Sequence, residues 1–461
     1  MTTALASRPG VREPGATSGG RVAPTLLVVA IVGTWGLGKG FAYVGYYPVF
    51  ISEMLLVGVA ASVLRRGPLE RVMLSSTRIL PWLFFVVALQ IPISVGLNGQ
   101  PVLEVVRNIA PLFYSAFAYL TFTVLARRCR RSGRDDADAV LSDRLVAVAV
   151  PVVLALLTLS VALSVWSPVH LPSWPKVGVP VLVFKPGDAA IPLMAVVVLW
   201  FQRRVATSYA AWSLLLLVVC ASRSRAVVLV VAVMVLCVKK HGPRLVALTL
   251  VIAGVMTVLV LTDAKVSLGG YREVSGAQLL ANAGSLLGLG SAQQFDPTGP
   301  QTTSWRLRWW SDISTDSAQG RHPVLGLGWG TNLADTYGFE TGDPRDPTAL
   351  RSPHNILMSL LGRGGWAPPA LWTAFYVVLI AEMRRARRLA LRADPGLVGF
   401  LDLCTAVVVC GLILGMTDVF LESPQNAVPH WIIVGAAWFA IRLAHSAPRA
   451  DSSDPVATVA P

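Results

Sequence analysis

Charge is what this sequence has least of. Only 14% of its 461 residues are Asp, Glu, Lys or Arg, while 54% are hydrophobic. A soluble chain carries about 25% charged residues, so a water-soluble enzyme is excluded. Cysteine is also scarce: Cys129, Cys220, Cys237, Cys404 and Cys410 are the whole set. None falls in an outer loop, so neither a disulfide framework nor a cysteine zinc cluster is on offer. The outer segments hold no His/Asp/Glu group at metal-ligand spacing, and no internal repeat is visible. The first apolar run follows a mostly polar stretch with no small-x-small cleavage site, so no signal peptide is expected. Residues 1–21 and 446–461, rich in Pro, Gly, Ser and Ala, are expected to be disordered cytoplasmic tails.

Apolar runs fill the rest. A bilayer-crossing helix needs roughly 20 such residues, with a range of about 17–25. Runs of that kind occur at 22–37, 47–64, 79–97, 105–125, 145–166, 187–201, 206–221, 226–238, 245–261, 356–381, 397–416 and 428–443. The sixth and eighth are short, and the tenth is interrupted by Gly362-Arg363-Gly364-Gly365 and Pro368-Pro369. They predict an all-α, polytopic integral membrane protein of about twelve transmembrane helices, nine over 22–261 and three over 354–445. With the N-terminal tail in the cytoplasm, most Lys and Arg fall on the cytoplasmic side and the outer side is nearly neutral. The net charge of +14 is therefore a topology signal, and both termini are expected in the cytoplasm. Basic clusters such as 127–131 and 384–388 serve as anchors, with contact to anionic lipid a secondary possibility. Nucleic acid is not an expected partner.

One connection stands apart. Residues 262–353 form a long loop on the expected outer face, and loops of that length are usually functional or disordered. This one is rich in Trp, Arg and Gly, with amphipathic stretches at 276–289 and 304–313, which favours a folded loop. Its Gly326-Leu327-Gly328-Trp329-Gly330 run lacks the preceding strand and following helix of a nucleotide loop, so a tight turn is the safer reading.

The order of motifs resembles the O-antigen ligase and polymerase superfamily of polytopic glycosyltransferases. Arg225-Ala-Val-Val-Leu229 is similar to an Arg-x-x-x-Leu motif at an outer helix end. Arg306…Trp310…Pro323…Gly326…Gly328 resembles the loop motif, and His354-Asn355…Gly365 the opening of the following span. The resemblance covers roughly residues 185–381; Pro368 departs from it, standing where relatives often carry a small residue. It implies transfer of a glycan from a polyprenyl-diphosphate-linked donor to an acceptor hydroxyl on a glycan or glycolipid. The reaction would run with inversion and without a metal or other cofactor, at the outer face of the cytoplasmic membrane. The first outer loop, 38–45, has no carboxylate, which weighs against the other polytopic glycosyltransferase group with its acidic, divalent-ion motif there.

That chemistry needs cations to hold the diphosphate as charge develops and a base within reach of the acceptor hydroxyl. Arg223 and Arg225 follow a 16-residue run that reaches roughly 24 Å, short of the ~30 Å hydrocarbon core. Their guanidiniums, suited to bidentate diphosphate contact, then lie near the outer headgroups. The bland alternative is that both merely snorkel, but cations there oppose the positive-inside bias. His354 begins a span, where the helix dipole disfavours imidazolium. A lone His there could simply satisfy backbone donors; the family pattern points to a catalytic base. Arg306 and Arg308, two apart, face different sides of a helix, so one of them reaches the donor, and Arg306 fits the motif better. Asn355 is a further substrate-binding candidate. Trp305, Trp309 and Trp310 could stack on sugar, though an interfacial aromatic belt is the commoner outcome. Lys39, Glu53, Arg107, Lys185 and Asp188 map near outer span ends and either line the cleft or pair with one another. His170, His322 and His430 are read as bland surface residues. A twelve-helix transporter or lipid-linked glycan flippase is the rival class.

Overall fold

The computed structural model describes residues 21–46, 49–132, 144–166, 172–174, 181, 186–200, 205–222, 230–235, 242–262, 265–268, 272–275, 299–320, 322–339 and 350–446. Both tails, Arg223, Arg225, Lys185, His170, Cys237 and the 276–289 stretch lie outside these residues. The main helices are α1 (Val22–Leu37), α2 (Ile51–Leu64), α3 (Ser75–Pro92), α4 (Val102–Phe113), α5 (Ala116–Ser132), α6 (Arg144–Trp166), α7 (Pro186–Trp200), α8 (Val205–Ser222), α9 (Gly242–Leu261), α10 (Gly299–Ala318), α11 (Ile356–Gly364), α12 (Ala367–Ala393), α13 (Pro395–Gly415) and α14 (Pro424–Ser446). Two small antiparallel hairpins, Gly45–Tyr46 with Val49–Phe50 and Lys265–Leu268 with Arg272–Ser275, accompany them.

Helices therefore lie over the apolar runs, with only Val230–Val235 described in the eighth. Among the described residues, four stretches are long and apolar enough to cross a membrane: Ser75–Leu97, Val102–Arg130, Pro395–Gly415 and Pro424–Ser446. The chain is a mostly helical protein with membrane-spanning helices.

A helix that is apolar all round can face lipid or protein, and burial decides which. Helix α14 is buried along its whole length except Arg442, His445 and Ser446. It packs against α1, α5, α12 and α13 as the central post of the bundle. Gly435 permits the contact with α5, because a Cβ there would lie 2.3 Å from the Ala118 carbonyl oxygen. Trp372, Phe375, Tyr376 and Trp431 fill the space beside it. His430 is also in this core, with Nε2 2.9 Å from the Tyr376 hydroxyl. The expectation of a surface His430 is thus corrected: as part of the central helix it is enclosed on every side.

Helix α3 runs antiparallel to α12. At one end Ser75 and Ser76 hydrogen-bond Glu382, and at the other Gln90 Nε2 donates to the Gly364 carbonyl at 2.8 Å. The expected break in the tenth span is present between α11 and α12. Gly365, at φ +71°, caps α11, and Pro368 and Pro369 occupy the first turn of α12, where their missing N–H groups cost nothing. The glycine run of the loop lies on this joint: Leu327 and Gly328 donate to the carbonyls of Gly362 and Arg363 at 2.8 and 3.0 Å, and Trp366 donates to Pro323 at 3.0 Å. These glycines serve close backbone docking; a Cβ on Gly326 would sit 2.4 Å from the Arg363 carbonyl carbon.

A Cβ on Gly365 would lie 2.6 Å from the Pro323 oxygen, in a backbone conformation side chains rarely adopt. Gly365→Ala is expected to destabilise by about 2 kcal/mol or more. Gly254→Ala, inside α9 with open space around it, serves as the control and should not destabilise. Thermal unfolding in detergent measures both, and equal midpoints would refute the docking role of the joint.

Candidate active site

Three pieces of chain meet above the broken helix. The first is the turn Pro353-His354-Asn355. Asn355 caps α11, its Oδ1 accepting from Leu357 N at 3.0 Å and Met358 N at 3.4 Å. The cap satisfies backbone donors with Asn355 and frees the preceding histidine from that duty. His354 is held at φ +55°, the one positive-φ residue other than glycine among the described residues. Its Nδ1 lies 3.2 Å from Asp418 Oδ1, with the two side chains 20% and 29% exposed, so the pair is reachable but sheltered.

The second piece, the link between α13 and α14, supplies that carboxylate. Asp418 Oδ1 also accepts from Val419 N at 2.8 Å, which orients it. The third is α10, on which Arg306 Nη1 donates to the Thr417 carbonyl at 2.8 Å, one residue from Asp418. Arg306 Nε is buried without a hydrogen-bond partner. Arg308 is exposed on another face, so of the two it is Arg306 that joins the His354 cluster. Trp310 Nε1 donates to the Pro353 carbonyl at 2.7 Å and ties α10 to the His354 turn. Trp309 is fully buried and stacks on Phe339 at 5.2 Å in a small second core with Ile313, Leu333 and Leu361. The aromatic-belt expectation gives way here, because the loop folds its own core and Trp309 belongs to it.

A charged layer supports the cluster. Glu422 accepts from Ser352 Oγ at 2.7 Å and Ser359 Oγ at 2.9 Å, and its other oxygen lies 3.7 Å from Arg363 Nη1. Arg363 also donates to the Arg351 and Thr331 carbonyls at 3.3 and 3.4 Å. Arg351 pairs with Glu104 at 3.2 Å, and Glu104 stands 4.0 Å from Arg107. Asn108, one residue on, donates to the Trp329 carbonyl at 2.7 Å. Arg107 thus lines the same layer. Farther along, Glu53 accepts from Phe50 N and from the Tyr114 hydroxyl, and Asp188 accepts from Asn426 at 3.1 Å. Burial pushes the Tyr43 phenol up from its ordinary value; Arg107 opposes this, while Glu53 and Asp188 reinforce it. Lys39 opens the turn Lys39–Ala42, which packs against α14. Glu53, Arg107 and Asp188 thus contact Tyr114, Glu104 and Asn426, none of them in the predicted group.

Sequence reading missed Asp418, Glu422, Glu104 and Arg351. The available signal was ionisable residues at the ends of, or within, apolar runs, and Arg363 inside the tenth run was the clearest. Exposed His322 matches its bland reading.

Removing one member of a buried pair strands the other charge. Glu422→Gln should cost about 3–5 kcal/mol, while Glu422→Gln with Arg363→Met should recover much of it. Denaturation midpoints in detergent test this; an additive double variant would show that the pair is not coupled.

Residues 209–373 match the family model described as O-antigen ligase. No curated protein matches this chain. The matched stretch carries Arg225, Arg306 and His354 and stops short of Asp418 and Glu422. Over that stretch the chain is similar to the O-antigen ligase family.

Proposed function

We propose that the protein transfers a glycan from a polyprenyl-diphosphate donor to an acceptor hydroxyl at the outer face of the cytoplasmic membrane, with inversion and without a metal. In this reading the chain spans the membrane twelve times, with both termini inside and residues 262–353 outside. The carrying observation is the His354–Asp418 pair, 3.2 Å apart beside an Arg306 anchored on Thr417.

Asp418, accepting a hydrogen bond from Nδ1–H, leaves His354 Nε2 as the proton acceptor. Nε2 takes the proton of the acceptor hydroxyl as its oxygen forms a bond to the anomeric carbon. The bond from that carbon to the diphosphate oxygen breaks, and its electron pair leaves with the diphosphate. The imidazolium that results is paired with Asp418, and the growing negative charge is met by Arg306 and Arg225. Arg223, Arg107, Lys39 and Asn355 contribute to binding the donor and its sugars.

Support for bringing Arg225 to this site comes from α13. Cys410 Sγ, eight positions before Asp418, contacts the Val230 carbonyl at 3.9 Å, and Val230 follows Arg225 by five. The acceptor is a glycolipid core for a ligase or a growing glycan for a polymerase.

His354→Ala should lower transfer by about 10²–10⁴-fold with normal membrane insertion, measured in vesicles supplied with a polyprenyl-diphosphate glycan. Asp418→Asn should lower the rate at saturating donor, and Arg225→Ala should raise the donor concentration needed. Undiminished transfer by His354→Ala would end the catalytic assignment.

A further inference from the structure

The end of the bundle opposite His354 carries a cavity of about 950 Å³, within the size range of small-molecule sites, about 300–1,000 Å³. It lies where α2, α3, α5 and α14 end, three of these belonging to the stretches long and apolar enough to cross a membrane. It therefore sits at the boundary between hydrocarbon and water. Five arginines line it, Arg66, Arg71, Arg127, Arg130 and Arg442, against one carboxylate, Glu70.

The two ionic layers of this cavity differ. Its floor is built and satisfied: Arg127 donates to the carbonyls of Val63, Gly67 and Pro68, at 2.8, 3.0 and 2.6 Å. Arg127 and Arg130 together hold Glu70, whose backbone N–H donates to Thr123 Oγ1 at 3.2 Å. Glu70 is thereby consumed in fixing the loop between α2 and α3. Among the described residues, Arg71 and Arg442 on the rim have no such carboxylate partner. Arg71 and Arg442 are exposed, and Arg442 is oriented by Phe122, its guanidinium carbon 5.8 Å from the ring centroid. Beside these cations, Leu69 and Met73 are 41% and 79% exposed. Cations next to exposed apolar side chains at helix ends match a ligand with a phosphate and an acyl chain, and soluble phosphate would have no use for the apolar lip.

We propose that this groove binds the phosphate headgroup of an anionic glycerophospholipid from the leaflet opposite the His354 site, with Arg71 and Arg442 as its phosphate ligands and Leu69 and Met73 against the acyl chains. The arginine-rich loops that the positive-inside bias assigns to the cytoplasm make this the inner leaflet. The site is independent of the glycan-transfer reading.

Native mass spectrometry of the full chain, released from nanodiscs of phosphatidylglycerol and phosphatidylcholine in equal parts, tests it. The wild type should retain phosphatidylglycerol preferentially. Each arginine is worth about fivefold at an anionic surface, so Arg71→Gln with Arg442→Gln should lose about twenty-five-fold of that preference. Both positions are exposed, so the unfolding midpoint in phosphatidylcholine should not move; Arg71→Gln alone should lose about fivefold. Equal retention of both lipids by the wild type, or an unchanged preference in the double variant, would overturn the proposal. Displacement of phosphatidylglycerol by millimolar soluble glycerol phosphate would also overturn it, assigning the groove to a free phosphate ester.

Discussion

An arginine inside an apolar helix has to be answered by a carboxylate, and much of the site's architecture follows from that requirement. Arg363 stands on α11, two residues before the Gly365 break, with its side chain 5% exposed. Leaving such a charge unpaired in a low-dielectric interior is far costlier than pairing it, and Glu422 is the partner. Because Glu422 belongs to the link between α13 and α14, the pair brings that link against α11. Ser352 and Ser359 bind the same carboxylate and lock the register. Asp418, four residues earlier on the link, is thereby delivered to His354.

The loop before α11 completes the arrangement by ordinary packing. Trp309 is buried against Phe339, and Trp310 reaches the Pro353 carbonyl. Between them they set the rotation of α10, which turns Arg306 toward Thr417 and Arg308 outward. Gly326 lies on the backbone of the helix break, where close approach leaves no room for a Cβ, and Gly328 and Gly330 make room for the Gln100 side chain. Their use is mechanical, and the cations of the site come from elsewhere in the chain. His354 carries the backbone strain of the region, a left-handed conformation that costs about 1–3 kcal/mol and lets its ring face the Asp418 link while Asn355 caps the helix.

The two ends of the bundle use charge differently. At the His354 end, acids and bases are interleaved and mostly paired, and the layer is half-buried. At the other end, arginines outnumber carboxylates around an open groove beside exposed apolar side chains. The first arrangement suits an enclosed site that holds a defined geometry. The second suits attraction to an anionic surface, where geometry matters less than summed charge.

Apolar run length and charge asymmetry by themselves determined that the chain is a helical membrane protein, that its tenth run is broken, and that Arg306 and Arg308 face apart. These are local properties, set by the rise of a helix, the hydrocarbon thickness and a periodicity of 3.6. Tertiary structure alone decided that α14 is the buried post, that His430 and Trp309 are core residues, and that Asp418 and Glu422 meet His354 and Arg363. The last of these depends on contacts between residues about sixty positions apart. Hydropathy is the same number whether a side chain meets lipid or protein, so only packing could choose between them.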